Sequence, residues 1–270
     1  MTIFCIVSSV GHIVAQNVQS LERPRLTTQK PEQILQREVY TVSYNNKTKC
    51  PNWVAWKLTS EMLNGTASRK GVPYYDENGN VAGVGRLSDN MVNGPYMTDP
   101  EAMKPRQEGS DYRDGNPLRM SHGHLCPAAD AKVSKAAMNQ TFLLTNMCPQ
   151  DRALNQNDWE YLESRCRGWA KQYGEIYIAC GPVFYDDKPI VTMGHNKVRV
   201  PDAFFKVVLY NGKKPKALGF IYPNNGESHP LSYYVTTVDK VEETTGIDFF
   251  YNLPDNIEDL VESQADLGRW

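Results

Sequence analysis

Ser121-His122-Gly123-His124-Leu125-Cys126-Pro127-Ala128-Ala129-Asp130 is followed by Thr141-Phe142-Leu143-Leu144-Thr145-Asn146-Met147-Cys148-Pro149-Gln150, and then by Leu154-Asn155-Gln156-Asn157-Asp158-Trp159-Glu160-Tyr161-Leu162-Glu163. These residues read as a strand carrying histidine, a second strand over Thr141–Met147, and a helix from near Asn155 to about Tyr173. Trp159, Leu162, Cys166, Trp169 and Tyr173 fall on one apolar face of that helix, and Gly174 stands where helices commonly stop. Side chains alternate along a strand, so His122 and His124 share a face and Ser121 points the other way.

Asn155 falls on the apolar face in the first turn of the predicted helix. Asn155, Trp159, Glu163 and Arg167, each four residues from the next, form a slanting row. That row offers an amide oxygen, a carboxylate and a guanidinium to one site beside the sheet. Phosphodiester hydrolysis needs those groups together with a base. A neutral imidazole activates water, hard oxygen ligands favour a hydrated divalent ion such as Mg²⁺, and an arginine fork holds phosphate oxygens. Read plainly, Asn155 is an N-cap and Glu163–Arg167 a surface ion pair.

Outward from this stretch, Val39–Tyr44, Trp53–Leu58, Ile176–Val183, Ala203–Tyr210 and Ala217–Tyr222 read as strands. A helix is expected from about Thr237 to Thr245, stopped by Gly246. Another follows Pro254, with Ile257, Leu260 and Val261 inward. Asp89–Arg119, rich in Gly, Pro, Asn and Asp, reads as a long irregular loop. The pattern is α+β, mainly an antiparallel sheet core with packed helices. Residues 1–15 carry the apolar run of a candidate signal peptide without a basic n-region, which points to an exported protein. Residues 16–36 read as a linker or extended arm, and 37–270 as a single domain.

The central stretch resembles the DNA/RNA non-specific endonucleases of the ββα-metal (His-Me finger) class. The family pattern is Asp-Arg-Gly-His with a following Pro, then Asn-x-x-Pro-Gln, then Asn-x-x-x-Trp-x-x-Leu-Glu. The last two parts are matched at Asn146–Gln150 and Asn155–Glu163. Pro51-Asn52-Trp53-Val54-Ala55-Trp56 and Ile178-Ala179-Cys180-Gly181-Pro182 are similar too, so the resemblance extends from about Tyr40 to Phe250.

The resemblance implies His124 as general base and Asn155 as the one protein ligand of a Mg²⁺ ion, with Mn²⁺ or another divalent cation able to substitute. It implies that Glu163 holds a water of that ion, that Arg167 contacts phosphate, and that Asn146 fixes the site near the imidazole. An upstream arginine on the phosphate is assigned to Arg86. DNA and RNA are the implied substrates, cut without sequence preference to leave 5′-phosphate and 3′-hydroxyl ends. One departure stands out: Ser121-His122 replaces Asp-Arg, which removes a fixed cation and leaves His122 as a substrate-binding candidate with charge only at acidic pH.

A formal net charge of −2 across 270 residues argues against a protein that packages nucleic acid, and less against an enzyme that grips a few phosphates. No apolar run reaches membrane-spanning length, so no membrane partner is expected; an oligomer stays open. The cysteines Cys5, Cys50, Cys126, Cys148, Cys166 and Cys180 include no CxxC pair, and Cys126 and Cys148 are candidates for a bridge. Two other functions stay open. His122 and His124 could be zinc ligands of a metallohydrolase, or the altered Ser121-His122 pair could mark a nucleic-acid-binding protein that has lost cleavage.

Overall fold

The computed structural model describes residues 20–75, 81–86, 96–113 and 116–270, with backbone only over 70–75 and 81–86. The strands that position the site are, in chain order, β1 (Gln33–Gln36), β2 (Thr41–Asn45), β3 (Cys50–Thr59), β4 (Ser121–His124), β5 (Met147–Gln150), β6 (Glu175–Val183), β7 (Ala203–Tyr210), β8 (Lys216–Pro223) and β9 (Val235–Thr236). All except β4 and β5 join one antiparallel sheet in the order β9-β8-β7-β6-β3-β2-β1. The strands β4 and β5 pair only with each other.

Both faces of the sheet are covered, which is why its middle strands read as nearly unbroken apolar runs. On β7, Phe204 and Val208 join one core with Trp56 and Phe220, while Phe205, Val207 and Leu209 join a second core with Trp53. The first core receives Leu162, Cys166, Trp169 and Ala170 from the helix that follows β5. The second receives Val238 and Val241 from one helix (Val238–Thr245) and Val261 from another (Asp255–Glu262). Each large apolar side chain so buried contributes about 1.5–3 kcal/mol. Lys206, on the strand position between Phe204 and Val208, is 1% exposed and enters the first core beside Trp56 and Trp159.

The structure departs from sequence expectation in several places. No strand covers Thr141–Met147: a helix (Lys135–Gln140) ends at Thr141, a 3₁₀ turn takes Leu144–Asn146, and the strand is Met147–Gln150. Every residue from 141 to 150 is buried, so the apolar content reflects complete enclosure, not strand alternation. From residue 20 on, the arm read at 16–36 is extended and built into the fold. Arg25–Leu26 pairs with Ile247–Asp248, and β1 is the edge of the main sheet. The folded unit therefore starts ahead of residue 37. Arg37 fastens this edge by a buried ion pair to Asp99 at 2.5 Å, whose carboxylate also accepts from Thr145 Oγ1 at 2.6 Å.

Within the expected loop 89–119, Met97 bridges Leu143 and Gly109–Arg113 is helical; 87–95 and 114–115 lie outside the described residues. Leu260, expected inward, is 51% exposed. The helix Asp255–Glu262 turns Val261 inward with Ile257 partly covered, and Leu260 falls off that stripe. Cys126 and Cys148 are not bridged: Cys50, Cys126, Cys148, Cys166 and Cys180 are all buried free thiols. The candidate leader lies outside the described residues. Among the described residues no helix is long and apolar enough to cross a membrane.

Candidate active site

The motif is a ββα unit. β4 and β5 pair antiparallel with His124 opposite Met147 and Gly123 opposite Cys148. Gly123 is required by proximity: a Cβ there would stand 2.4 Å from Gln150 Oε1. Helix α1 (Arg152–Leu154) follows, then a π-turn over Asn155–Trp159, then helix α2 (Glu160–Tyr173), closed by Gly174 at φ 87°. The indole N–H of Trp159 donates to the His124 carbonyl at 3.2 Å, which joins the π-turn to the histidine strand. π-Turns inside α-helices often mark functional positions because they re-aim side chains. Asp158, in the same turn, is held from outside by Tyr234 Oη at 2.7 Å, Ser228 Oγ at 2.7 Å and the His229 amide at 3.1 Å.

The helix begins before Asn155. Asp151 is the N-cap, accepting from the amides of Ala153 and Leu154. Asn155 is thus not the N-cap, and its half-buried carboxamide makes no hydrogen bond to the protein among the described residues. Asn146 is fully buried and acts on the backbone. Its Oδ1 accepts from Cys126 N at 2.9 Å, and its Nδ2 donates to the carbonyls of Cys126 and Thr141, each at 2.8 Å. It fixes the chain just after His124, where proximity to the imidazole itself was expected.

The His124 ring meets Phe142 edge-on at 5.1 Å between centroids and lies 6.0 Å from Tyr96. Its Nε2 is sealed from solvent without a hydrogen-bond partner. Burial, aided by the positive charge of Arg69, lowers its pKa to about 3. The imidazole is therefore neutral across the physiological range. The Arg69 guanidinium stands 5.6 Å from the Phe142 centroid, on the ring that His124 also touches.

Below the π-turn lies a compact set of four charges. Arg167 Nη1 reaches Asp130 Oδ1 at 3.3 Å and Glu163 Oε2 at 3.9 Å. Trp56 Nε1 donates to the other Asp130 oxygen at 3.2 Å. Lys206 Nζ sits 4.4 Å from the Trp159 ring centroid, a cation–π contact under the turn that carries Asn155. Burial raises the Glu163 pKa to about 7, with Asp130 adding to the rise and Lys206 and Arg167 opposing it. Asp130 is also raised, by burial first, against the pull of Arg167 and Lys206.

His122 is stacked between two tyrosines. Tyr96 lies at 3.8 Å and 3° on one side, and Tyr112 at 3.8 Å and 20° on the other. Contact of both His122 and His124 with Tyr96 places the two imidazoles on one side of β4, as alternation requires. Tyr112 in turn donates from its hydroxyl to Gln107, which donates to the Met147 carbonyl of β5. The sandwich is therefore tied to the strand opposite His124.

Four of the sequence candidates, Asn146, Glu163, Arg167 and Asn155, are placed by the elements that hold His124. Arg86 ends a hairpin strand (Val81–Arg86) whose backbone pairs with Lys70; its side chain lies outside the described residues. Residue-by-residue reading missed Arg69, Asp130, Lys206 and the Tyr96–Tyr112 clamp. Lys206 left a signal, a single cation inside Ala203-Phe204-Phe205-Lys206-Val207-Val208. Arg69 left none, being one of two adjacent basic residues in a polar run.

An antiparallel pair carrying an inward histidine, followed by a helix that presents an asparagine and a glutamate, defines the ββα-metal class of nuclease folds. The DNA/RNA non-specific endonuclease family matches residues 17–256, and the chain belongs to that family. Its relatives include Nuclease C1 of Cunninghamella echinulata var. echinulata, 32% identical over 231 residues that cover 81% of this chain and 83% of that protein. A nuclease of Nostoc sp. is 31% identical over 94% of this chain and 86% of its own length. Mitochondrial endonuclease G of Bos taurus is 29% identical, over 82% and 70%. Among solved structures, one from an EndoG/EndoGI complex superposes with a TM-score of 0.68 at 24% identity, covering 83% of this chain and 88% of that one, and so shares the fold.

Proposed function

We propose that this nuclease hydrolyses phosphodiester bonds of DNA and RNA without sequence preference, with one divalent ion of the magnesium type, and leaves 5′-phosphate ends. The reading is supported by two features of the ββα unit: a neutral His124 whose Nε2 has no hydrogen-bond partner, and an Asn155 carboxamide with no protein hydrogen bond, in the π-turn that Trp159 ties to the His124 carbonyl. A lone amide oxygen backed by a carboxylate, with no thiolate or second free imidazole in the row, suits a hard ion that keeps most of its water. Asn155 would hold that ion, which supplies positive charge to the phosphate oxygens and the departing 3′-oxygen.

The protein's own groups do the rest. With Nε2 sealed inside, Nδ1 is the nitrogen left to take a proton from the attacking water. Arg167 and Arg69 offset charge on the non-bridging oxygens, with Arg86 a further candidate. Glu163, ionised, accepts hydrogen bonds from water in the row and orients it. Contacts of this kind address phosphate and not base edges, which accounts for the absence of sequence preference.

Supercoiled-plasmid nicking and cleavage of a folded RNA, each with magnesium and with chelator, test the reading. Cleavage of both substrates that stops with chelator and returns with magnesium is expected; binding without cleavage in magnesium would leave only a nucleic-acid-binding role. The zinc alternative gains little. His122 is held between two aromatic rings, and among the described residues no group of three metal-binding side chains includes either histidine.

Two predictions concern the flanks of the site. Activity should fall about tenfold per pH unit below about pH 7, because Glu163 is protonated below its raised pKa and loses its charge. Glu163→Gln should lower the rate and flatten that limb in a pH–rate profile; an unchanged limb would assign it to another group. His122→Arg should retain or raise plasmid nicking with a steeper salt dependence, since a guanidinium also stacks on tyrosine and adds a fixed charge near phosphate. Loss of nicking in a folded variant would count against a phosphate-facing position.

A further inference from the structure

On the face opposite the active site, α3 (Val238–Thr245) and α4 (Asp255–Glu262) bring three carboxylates together. Oxygens of Asp239, Glu242 and Glu262 all lie within 4.8 Å of one another. They are graded in burial from exposed Asp239 through half-buried Glu242 to Glu262, which is 5% exposed. Glu242 accepts one hydrogen bond, from the Phe249 amide at 2.7 Å. Glu262 Oε1 is sealed from solvent and has no hydrogen-bond partner.

That sealed oxygen is the feature to explain. A buried carboxylate without a partner is strongly disfavoured. Here it also stands at the C-terminal end of α4, where the helix dipole repels negative charge. The largest electrostatic influences on Glu262 come from Glu242, Glu258, Asp239 and Asp248, all acidic. Arg25 is committed to Asp248 at 2.7 Å, on the strand beside α3. Burial together with this repulsion raises Glu262 to about 9 and Glu242 to about 7. Either a proton or a cation must sit among these oxygens at neutral pH.

We propose that Asp239, Glu242 and Glu262 form a binding site for a hard divalent cation of the calcium type, separate from the catalytic row, which clamps α3 to α4. Three carboxylates in an irregular, half-open cluster suit calcium, which takes about 6–8 oxygens at about 2.3–2.6 Å with flexible geometry. Zinc prefers nitrogen and sulfur, and the trio offers none. The open Asp239 side leaves room for waters to complete the shell. The ion would act on stability, because both helices cover the second core with Val238, Val241 and Val261.

The test uses the full-length protein, stripped with chelator, dialysed, and followed by thermal unfolding and calorimetric titration with calcium chloride at pH 7.5. Wild type should gain about 5 °C or more at a hundredfold excess of calcium over its dissociation constant. Asn155→Ala, which removes the catalytic ligand, should keep that gain. Glu262→Gln should lose it while nicking activity in magnesium stays as in wild type. Asp239→Asn, at an exposed position where folding is not at stake, should weaken calcium binding at least tenfold. The proposal fails if wild type shows no gain, if Glu262→Gln retains it, or if Asn155→Ala abolishes it. It fails equally if the unfolding midpoint rises on acidification from pH 9 to 6 with no calcium response, which would mean a shared proton holds the trio.

Discussion

His124→Ala is expected to lower plasmid nicking in magnesium by about 10²–10⁴-fold, the range that a positioned general base supplies. The expectation rests on where the imidazole is held. Its ring is packed against Phe142, its carbonyl is bonded to Trp159, and the chain after it is clamped by Asn146. The substitution removes the side chain and leaves those backbone contacts in place, so the fold should survive with a small cavity at Phe142. Substrate affinity should hardly change, because Arg69 and Arg167 remain. The loss should therefore appear in kcat and not in KM. Retention of more than a tenth of the wild-type rate in a folded variant would remove His124 from the role of base. A drop confined to KM would recast it as a binding residue.

The low pKa of His124 looks at first like a handicap, since a base works best when its pKa is near the working pH. Burial and the neighbouring Arg69 set it in the free protein. A bound phosphate would bring negative charge beside Arg69 and cancel part of that repulsion, which raises the basicity of the imidazole when substrate is present. Arg69→Ala should likewise raise the His124 pKa, by removing a cation that disfavours the protonated ring.

How much was legible follows from which constraints are local. Ala203–Tyr210 was readable to the residue, and Glu175–Val183 nearly so, because β-branched and aromatic runs of strand length have few other uses. The Glu163–Arg167 pair was readable because helical spacing alone brings it together. The segment Thr141–Met147 misled, since an apolar run enclosed on all sides has no period to betray a turn. Asp151 as cap went unread because the π-turn spaces buried Leu154 and Trp159 five residues apart, so the first helical turn falls out of the apolar period of the rest. The partners of the site that went unread, Arg69, Asp130 and the two tyrosines around His122, come from segments far apart in sequence. Only the fold sets them against the histidines.

Lys206 is the buried cation that the rest of the site leans on, and Lys206→Met should show it in two measurements. The side chain is 1% exposed, lies over Trp159, and has no carboxylate within ion-pair distance among the described residues, yet it lowers both Asp130 and Glu163. Burial works against its charge, and the surrounding groups outweigh that, so its pKa is raised from 10.5. Of those groups only the carboxylates carry charge near neutrality, because burial pushes the Cys166 and Cys180 thiols up to about 12. A raised ammonium pKa means that its contribution to stability is fully present below about pH 10.5 and fades only as pH climbs through the folded-state value. Methionine keeps the length and apolar stem but removes the charge. Arg167 is then left alone against Asp130 and Glu163, a net negative charge under the π-turn. With no carboxylate at ion-pair distance, the cost stays below that of a broken buried pair, at about 1–3 kcal/mol, or a fall of roughly 2–12 °C in the unfolding midpoint at neutral pH for a chain of this size. Glu163 also loses its main counter-charge, so its pKa rises and the acid limb of the activity profile moves above pH 7. A packing defect alone would lower the midpoint and leave that limb where it was. An unmoved limb together with an unmoved midpoint would show that Lys206 is a spectator, and that the turn carrying Asn155 is held by Trp159 and Asp158 without it.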